Sequence, residues 1–213
     1  MISSNQISEY VNSLLELKKE ETDDLHSFLT SNNYPVIQKD ISRFISQIVM
    51  IKQPQKILEI GTNEGYSSIV MALKMKKGTI TTIDYREDLH DKARLNFEKF
   101  KVADKINLVT KRAQAALSEI DDKFDMIFID AEKKAYDLYL SYAISHINPG
   151  GIILVDNLFW KGSVISPESF ENEKTAVPTL TEFNKRFTSL KGFNSQVLSI
   201  GDGLGFAVKE DHI

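Results

Sequence analysis

Two apolar runs in this 213-residue chain stop on acids: Phe124-Asp125-Met126-Ile127-Phe128-Ile129-Asp130, and Gly151-Ile152-Ile153-Leu154-Val155-Asp156-Asn157. As parallel strands of one α/β sheet they bring Asp130, Asp156 and Asn157 to the strands' carboxyl ends, where open sheets bind ligands. Oxygen donors of this kind suit Mg²⁺ or Ca²⁺ rather than zinc. A third run, Lys56-Ile57-Leu58-Glu59-Ile60-Gly61, ends in a glycine turn that continues Thr62-Asn63-Glu64-Gly65-Tyr66-Ser67. Gly61 permits a tight turn and close approach of a ligand to the backbone. Gly61 and Gly65 make a GxxxG spacing, so the dinucleotide fingerprint is incomplete, and no Gly-Lys-Ser/Thr follows to make a phosphate loop. Asp84 closes another short run and lies 84 − 61 = 23 positions after Gly61. An acid there can accept hydrogen bonds from both hydroxyls of a ribose. These strand ends outline a nucleotide-like cofactor site beside a cation site, although each also has a plain reading as a turn former or strand-end cap. Lys133 lies three residues past Asp130. A cation close by would lower its pKa and free it as a base, but spacing alone makes it a solvated neighbour of Lys134.

The elements that must position these residues follow from periodicity. Ile7, Val11, Leu14 and Leu15, then Leu25, Phe28 and Leu29, then Ile41, Phe44, Ile45, Ile48 and Val49 recur at helical spacing, with Pro35 and Pro54 as breaks. From residue 56 the pattern alternates: strands 56–60, 79–84, 106–110, 124–130 and 151–156, separated by helices 65–76, 87–100, 113–120 and 134–147. Alternation of this kind predicts βαβ crossovers and a parallel sheet. A helix over 178–190 leads to strands 195–200 and 205–209, joined through Gly201-Asp202-Gly203 as an antiparallel hairpin at the sheet edge. The division expected is a helical cap over 1–53 and an α/β core over 54–213. The mixed polarity of 160–176 suggests a lid.

Composition narrows the function classes. The formal charge of −4 gives no strong field to attract nucleic acid. Cysteine is absent, so there is no disulfide framework and no thiolate metal site. No apolar run approaches the roughly 20 residues needed to span a bilayer, and residues 1–6 lack a signal peptide's basic and apolar segments. A soluble, cytoplasmic protein without membrane partners is expected. The four histidines are scattered and receive no role.

Glu59 to Ser67, Asp84, Asp130-Ala131-Glu132-Lys133 and Asp156-Asn157 together resemble the cation-dependent O-methyltransferases of the catechol and caffeoyl-coenzyme-A type, over nearly the whole chain. Three stretches (33–39, 155–162 and 200–204) look most like the bacterial tRNA 5-hydroxyuridine methyltransferases of that family. The resemblance implies a Rossmann-like class I methyltransferase fold with seven strands, and S-adenosylmethionine as methyl donor. It implies that Ile37, Glu59, Gly61, Gly65 and Ser67 border the donor and that Asp84 holds its ribose. Arg112 and Ala113 would flank its adenine, and Asp130 would lie near it. Relatives often carry an acid after the third strand; this chain has Lys111-Arg112, leaving a backbone amide at Ala113 to meet the adenine. The resemblance further implies that Asp130, Asp156 and Asn157 bind Mg²⁺, or another divalent cation such as Ca²⁺ or Mn²⁺. Lys133 falls at the position of the family's catalytic base, and a homodimer with the N-terminal helices in its interface is expected. The implied acceptor is the wobble 5-hydroxyuridine of tRNA, with Lys39, Lys133, Lys134 and Lys161 toward phosphates and Phe159 and Trp160 for base stacking. The alternatives are a small catechol-like molecule, a nicotinamide-dependent dehydrogenase, or a non-catalytic module that keeps the fold.

Overall fold

The computed structural model describes residues 4–165 and 176–211. Three helices come first: α1 (Ser4–Leu15), α2 (Asp23–Ser31) and α3 (Lys39–Lys52). Then β1 (Lys56–Ile60), β2 (Thr79–Asp84), β3 (Ile106–Thr110), β4 (Phe124–Ile129) and β5 (Ile147–Val155) alternate with α4 (Tyr66–Lys74), α5 (Glu87–Lys99), α6 (Ala113–Glu119) and α7 (Tyr136–His146). Helix α8 (Ala176–Thr188) precedes β6 (Phe193–Leu198) and β7 (Leu204–Lys209). The seven strands lie in the order β3-β2-β1-β4-β5-β7-β6. The first five are parallel, and β7 runs antiparallel to both β5 and β6. The mostly parallel sheet, its antiparallel C-terminal hairpin and the N-terminal helices match the expected architecture.

Strands covered on both faces need apolar residues on both, and β1 and β4 have them. Ile57, Met126 and Phe128 face one cluster with α3, α4 and α5. Leu58, Ile60, Ile127 and Ile129 face the other, with α6, α7 and α8. All seven are 0–1% exposed, and burying each aliphatic side chain fully contributes about 1.5–3 kcal/mol. The helices are oriented by their ends: Glu87 and Asp88 open α5 and Lys99 closes it, matching the helix macrodipole.

Two strands start two or more residues earlier than the sequence reading placed them. Strand β6 starts at Phe193, two residues early, because Phe193 pairs with Lys209 and Leu198 with Leu204. Residues 199–203 are thereby freed as a loop with Gly201 and Gly203 at positive φ. Strand β5 begins at Ile147, with an irregularity in its pairing between Phe124 and Met126 of β4. Most of the lid expected at 160–176 falls on 166–175, outside the described residues; Trp160–Gly162 is a short 3₁₀ turn.

Candidate active site

The strand order reverses between β1 and β4, and the sheet's carboxyl edge at that switch point is where ligands bind in open α/β folds. Gly61 follows β1, Asp84 ends β2, Asp130 follows β4 and Asp156 follows β5. Gly61 has φ +109°, and a Cβ there would collide with the Asp130 backbone carbonyl. The turn thus needs glycine in order to lie against the β4 end.

Three cavities open along this edge and share Pro35, Asn63 and Asp130. One, of about 290 Å³, is lined by Asp84, Tyr85, Arg86, Arg112 and Ala113. The second, of about 500 Å³, is lined by Lys133, Asp156, Asn157, Lys161 and Asp202. The third is a narrow arm of about 10 Å³ among Ile37, Thr62, Glu64, Tyr66 and Ser67. Their common roof is the strap between α2 and α3. His26 Nε2 lies 3.0 Å from the Ile37 carbonyl, and just past the strap Asp40 Oδ2 accepts the Gly201 N–H at 2.8 Å.

In the first arm, Asp84 accepts the Asn63 N–H at 3.1 Å and the Arg86 N–H at 3.1 Å. Burial raises its pKa, but these bonds and the Arg86 guanidinium outweigh that and hold it below the ordinary carboxylate value. Arg86 also donates to the Asn63 side chain. Arg112 lies 4.9 Å from the Tyr85 ring centroid.

In the second arm, Lys133 Nζ donates to Asn157 Oδ1 at 2.7 Å and stands 5.0 Å from the Trp160 ring centre. Burial pushes its ammonium below the ordinary lysine range, against the opposing pull of Asp130, Asp156 and Asp202. Asp156 is 2% exposed; its Oδ1 accepts the Asn157 N–H at 2.6 Å, and Tyr136 donates to its carbonyl at 2.8 Å. Burial drives the carboxyl pKa of both Asp130 and Asp156 upward. Among the described residues no three acid or histidine side chains converge as a cation site by themselves. The oxygens this arm offers include the carboxylates of Asp130 and Asp156 and the side-chain amide of Asn157. One ammonium faces the carboxylates of Asp130, Asp156 and Asp202. That excess of negative, oxygen-only donors fits a hard divalent cation.

Glu59 lies elsewhere. It is 0% exposed in the middle of the sheet and lines none of the three cavities. Its Oε2 accepts from Thr82 Oγ1 at 2.5 Å and from Ser68, and Thr82 in turn meets Thr62 Oγ1 at 2.7 Å. It braces the glycine turn from below. Gly65, with φ +82°, packs on Phe97 and likewise lines none of the three. Burial lifts Glu59 to about 7. A carboxyl raised on folding holds its proton longer in the folded state, so stability is fully present below the unfolded value of 4.5 and is lost as pH rises toward about 7. That is roughly 3 kcal/mol at 1.36 kcal/mol per unit. Urea unfolding of metal-free protein should show a loss between pH 5 and pH 8, and Glu59→Gln should make it shallower, leaving the part that Asp130 and Asp156 contribute. An unchanged slope in that variant would remove Glu59 as its source.

The sequence reading brought Ile37, Gly61, Ser67, Asp84, Arg112, Ala113, Asp130, Lys133, Asp156 and Asn157 to this cleft, and all of them line it. It passed over Asp202, which had been read only as a turn residue between two glycines. It also passed over Asn63 and Glu64, inside the glycine turn, and His26 under the strap.

A family described as O-methyltransferase matches residues 5–210. The caffeoyl-CoA O-methyltransferase of Populus kitakamiensis is 31% identical over 87% of this chain and 82% of its own length. The catechol O-methyltransferase of Niastella koreensis is 28% identical over 91% and 90%. Among solved structures, an O-methyltransferase from Bacillus cereus in complex with SAH aligns with a TM-score of 0.81 at 28% identity, covering 96% of this chain and 97% of that one. These matches set the dehydrogenase alternative aside. With that family spanning the cleft from the strap to the β7 hairpin, the chain belongs to the O-methyltransferase family and is an S-adenosylmethionine-dependent O-methyltransferase.

Proposed function

We propose that this enzyme is divalent-cation-dependent and methylates a small molecule bearing two adjacent oxygens, of the catechol type. The observation that carries the reading is the meeting of three cavities at Asp130, one of them holding Lys133, Asp156 and Asn157. The donor's adenosine fits the arm of Asp84 and Arg112, with the Asp84 carboxylate toward the ribose. Its methyl-bearing sulfur then falls at the junction, facing the acceptor arm. S-adenosylmethionine supplies an electrophilic methyl group on a sulfonium. Asp130, Asp156 and Asn157 would hold a divalent cation, which would supply Lewis acidity to lower an acceptor hydroxyl's pKa and would favour a chelating pair of oxygens. Lys133 Nζ takes the proton of the attacking hydroxyl. Pro35 and Ile37 roof the junction and keep water from it, while the fixed walls hold the reactants in attack geometry.

The rim favours the small molecule over tRNA. Lys39, one of the cations expected to reach phosphates, is bound to Glu16 at 2.5 Å and lies 4.0 Å from Asp23. Phe159 packs under Gly203, where a Cβ would collide with its ring, and is thus a support for the hairpin loop. A homodimer belongs to the same proposal: Ile7, Tyr10, Val11 and Leu14 lie exposed along α1, an apolar stripe that a second copy would cover. No helix among the described residues is long and apolar enough to cross a membrane.

The acceptor is tested with labelled donor, Mg²⁺ and three acceptors in parallel: a catechol, its mono-methyl ether, and tRNA lacking 5-methoxyuridine. Label on the catechol and little on the ether is expected. Label on tRNA alone would replace this acceptor class with the wobble nucleoside.

A further inference from the structure

Glu64 is a buried carboxylate that the mechanism above does not use. It is 2% exposed, and neither of its oxygens has a hydrogen-bond partner among the described residues. It lines the narrow arm beneath the strap with Leu29, Val36, Ile37, Tyr66 and Ser67. Burial raises its pKa against the pull of Lys92 and Arg86, yet neither cation donates to it. Lys92 donates to the Tyr34 hydroxyl at 2.9 Å and sits over that ring, and Arg86 is held by Asp84 and Asn63. A buried carboxylate without a partner is costly, and its cost is offset when a ligand brings the missing donor.

With adenosine in one arm and the acceptor in another, the donor's amino-acid tail has only the third arm to enter. We propose that Glu64 is the counter-charge for the α-ammonium of that tail, a donor-binding contact additional to those assigned above. This rests on the placement of S-adenosylmethionine in the cleft. The arm holds only about 10 Å³, so seating the tail requires the strap to move outward, away from its Tyr34–Lys92 tie.

Two ligands separate this contact from the rest of the site: S-adenosylhomocysteine carries the amino-acid tail, and 5′-methylthioadenosine lacks it. Calorimetric titration of both into wild type and Glu64→Gln is the test. The expected result is a loss of about 10-fold to 100-fold for S-adenosylhomocysteine, the scale of a charged hydrogen bond, with 5′-methylthioadenosine within about twofold of wild type. Glu64→Asp, which keeps the charge on a shorter arm, should lose less and again only with the tailed ligand; it carries the test if the glutamine variant does not fold. Unchanged affinity for S-adenosylhomocysteine, or equal losses for both ligands, overturns the assignment while leaving the donor site intact. Failure of wild type to bind either ligand overturns the donor site itself, and this contact with it.

Discussion

Lys133→Met is expected to lower kcat by about 10²-fold to 10⁴-fold, the range of a positioned general base, while S-adenosylhomocysteine binds within about twofold of wild type. The argument is one of place and environment. Lys133 Nζ sits in the acceptor arm, 2.7 Å from Asn157 Oδ1 and away from the adenosine arm. Burial holds its ammonium below the ordinary range, and a divalent cation beside it would lower it further. A lysine so placed gives up its proton more easily than a free one, and in its neutral form can take one from a hydroxyl. Methionine keeps the length and packing against Tyr136 and Trp160 but removes the proton acceptor. Steady-state kinetics across pH, with titration of S-adenosylhomocysteine, checks this. If the variant kept wild-type kcat, or lost donor affinity in step with rate, Lys133 would be a structural residue.

Asp156→Asn should separate activity from stability. Methyl transfer is expected to fall by at least about 10³-fold, equivalent to several kcal/mol of lost charge stabilisation. The metal-free fold should at the same time become more stable near neutral pH, because a carboxyl that burial lifts to about 8 must take up a proton on folding and the amide need not. The Oδ1 that accepts the Asn157 N–H survives as an amide oxygen, so the loop geometry is kept. Thermal melting with and without Mg²⁺, beside the rate, reads both effects. The wild type should gain stability from Mg²⁺ and the variant should not. A variant less stable in the absence of metal, yet still stabilised by Mg²⁺, would place the cation elsewhere.

How far the sequence could lead is visible in particular residues. Asp84, Asp130, Asp156 and Gly61 were legible because an apolar strand that stops on a polar residue marks the sheet's carboxyl edge, and the edge is where the site lies. Lys133 was not legible from spacing. Its partners, Asn157 and the Asp202 charge, come from loops far along the chain, after β5 and between β6 and β7, and only the resemblance pointed to it. Asp202 was hidden by the hairpin register: with β6 placed two residues late, the loop that carries this acid into the acceptor arm was misread as part of a strand and a tight turn. Glu59 shows the opposite effect. It stands two residues before Gly61, but its carboxylate is taken up by Ser68 and Thr82, so it supports the glycine turn and lines none of the three cavities. Glu64 carried no sequence signal at all; the burial of both its oxygens is a property of how α4, α5 and the strap meet.

The most direct measurement is methyl transfer from labelled S-adenosylmethionine to a catechol by the wild-type enzyme, first with Mg²⁺, then with EDTA, then with Mg²⁺ restored. The account predicts label in the catechol mono-methyl ether, its loss in EDTA and its return on adding metal. Undiminished transfer in EDTA would contradict it, because Asp130, Asp156 and Asn157 would then be doing something other than holding the cation that activates the acceptor.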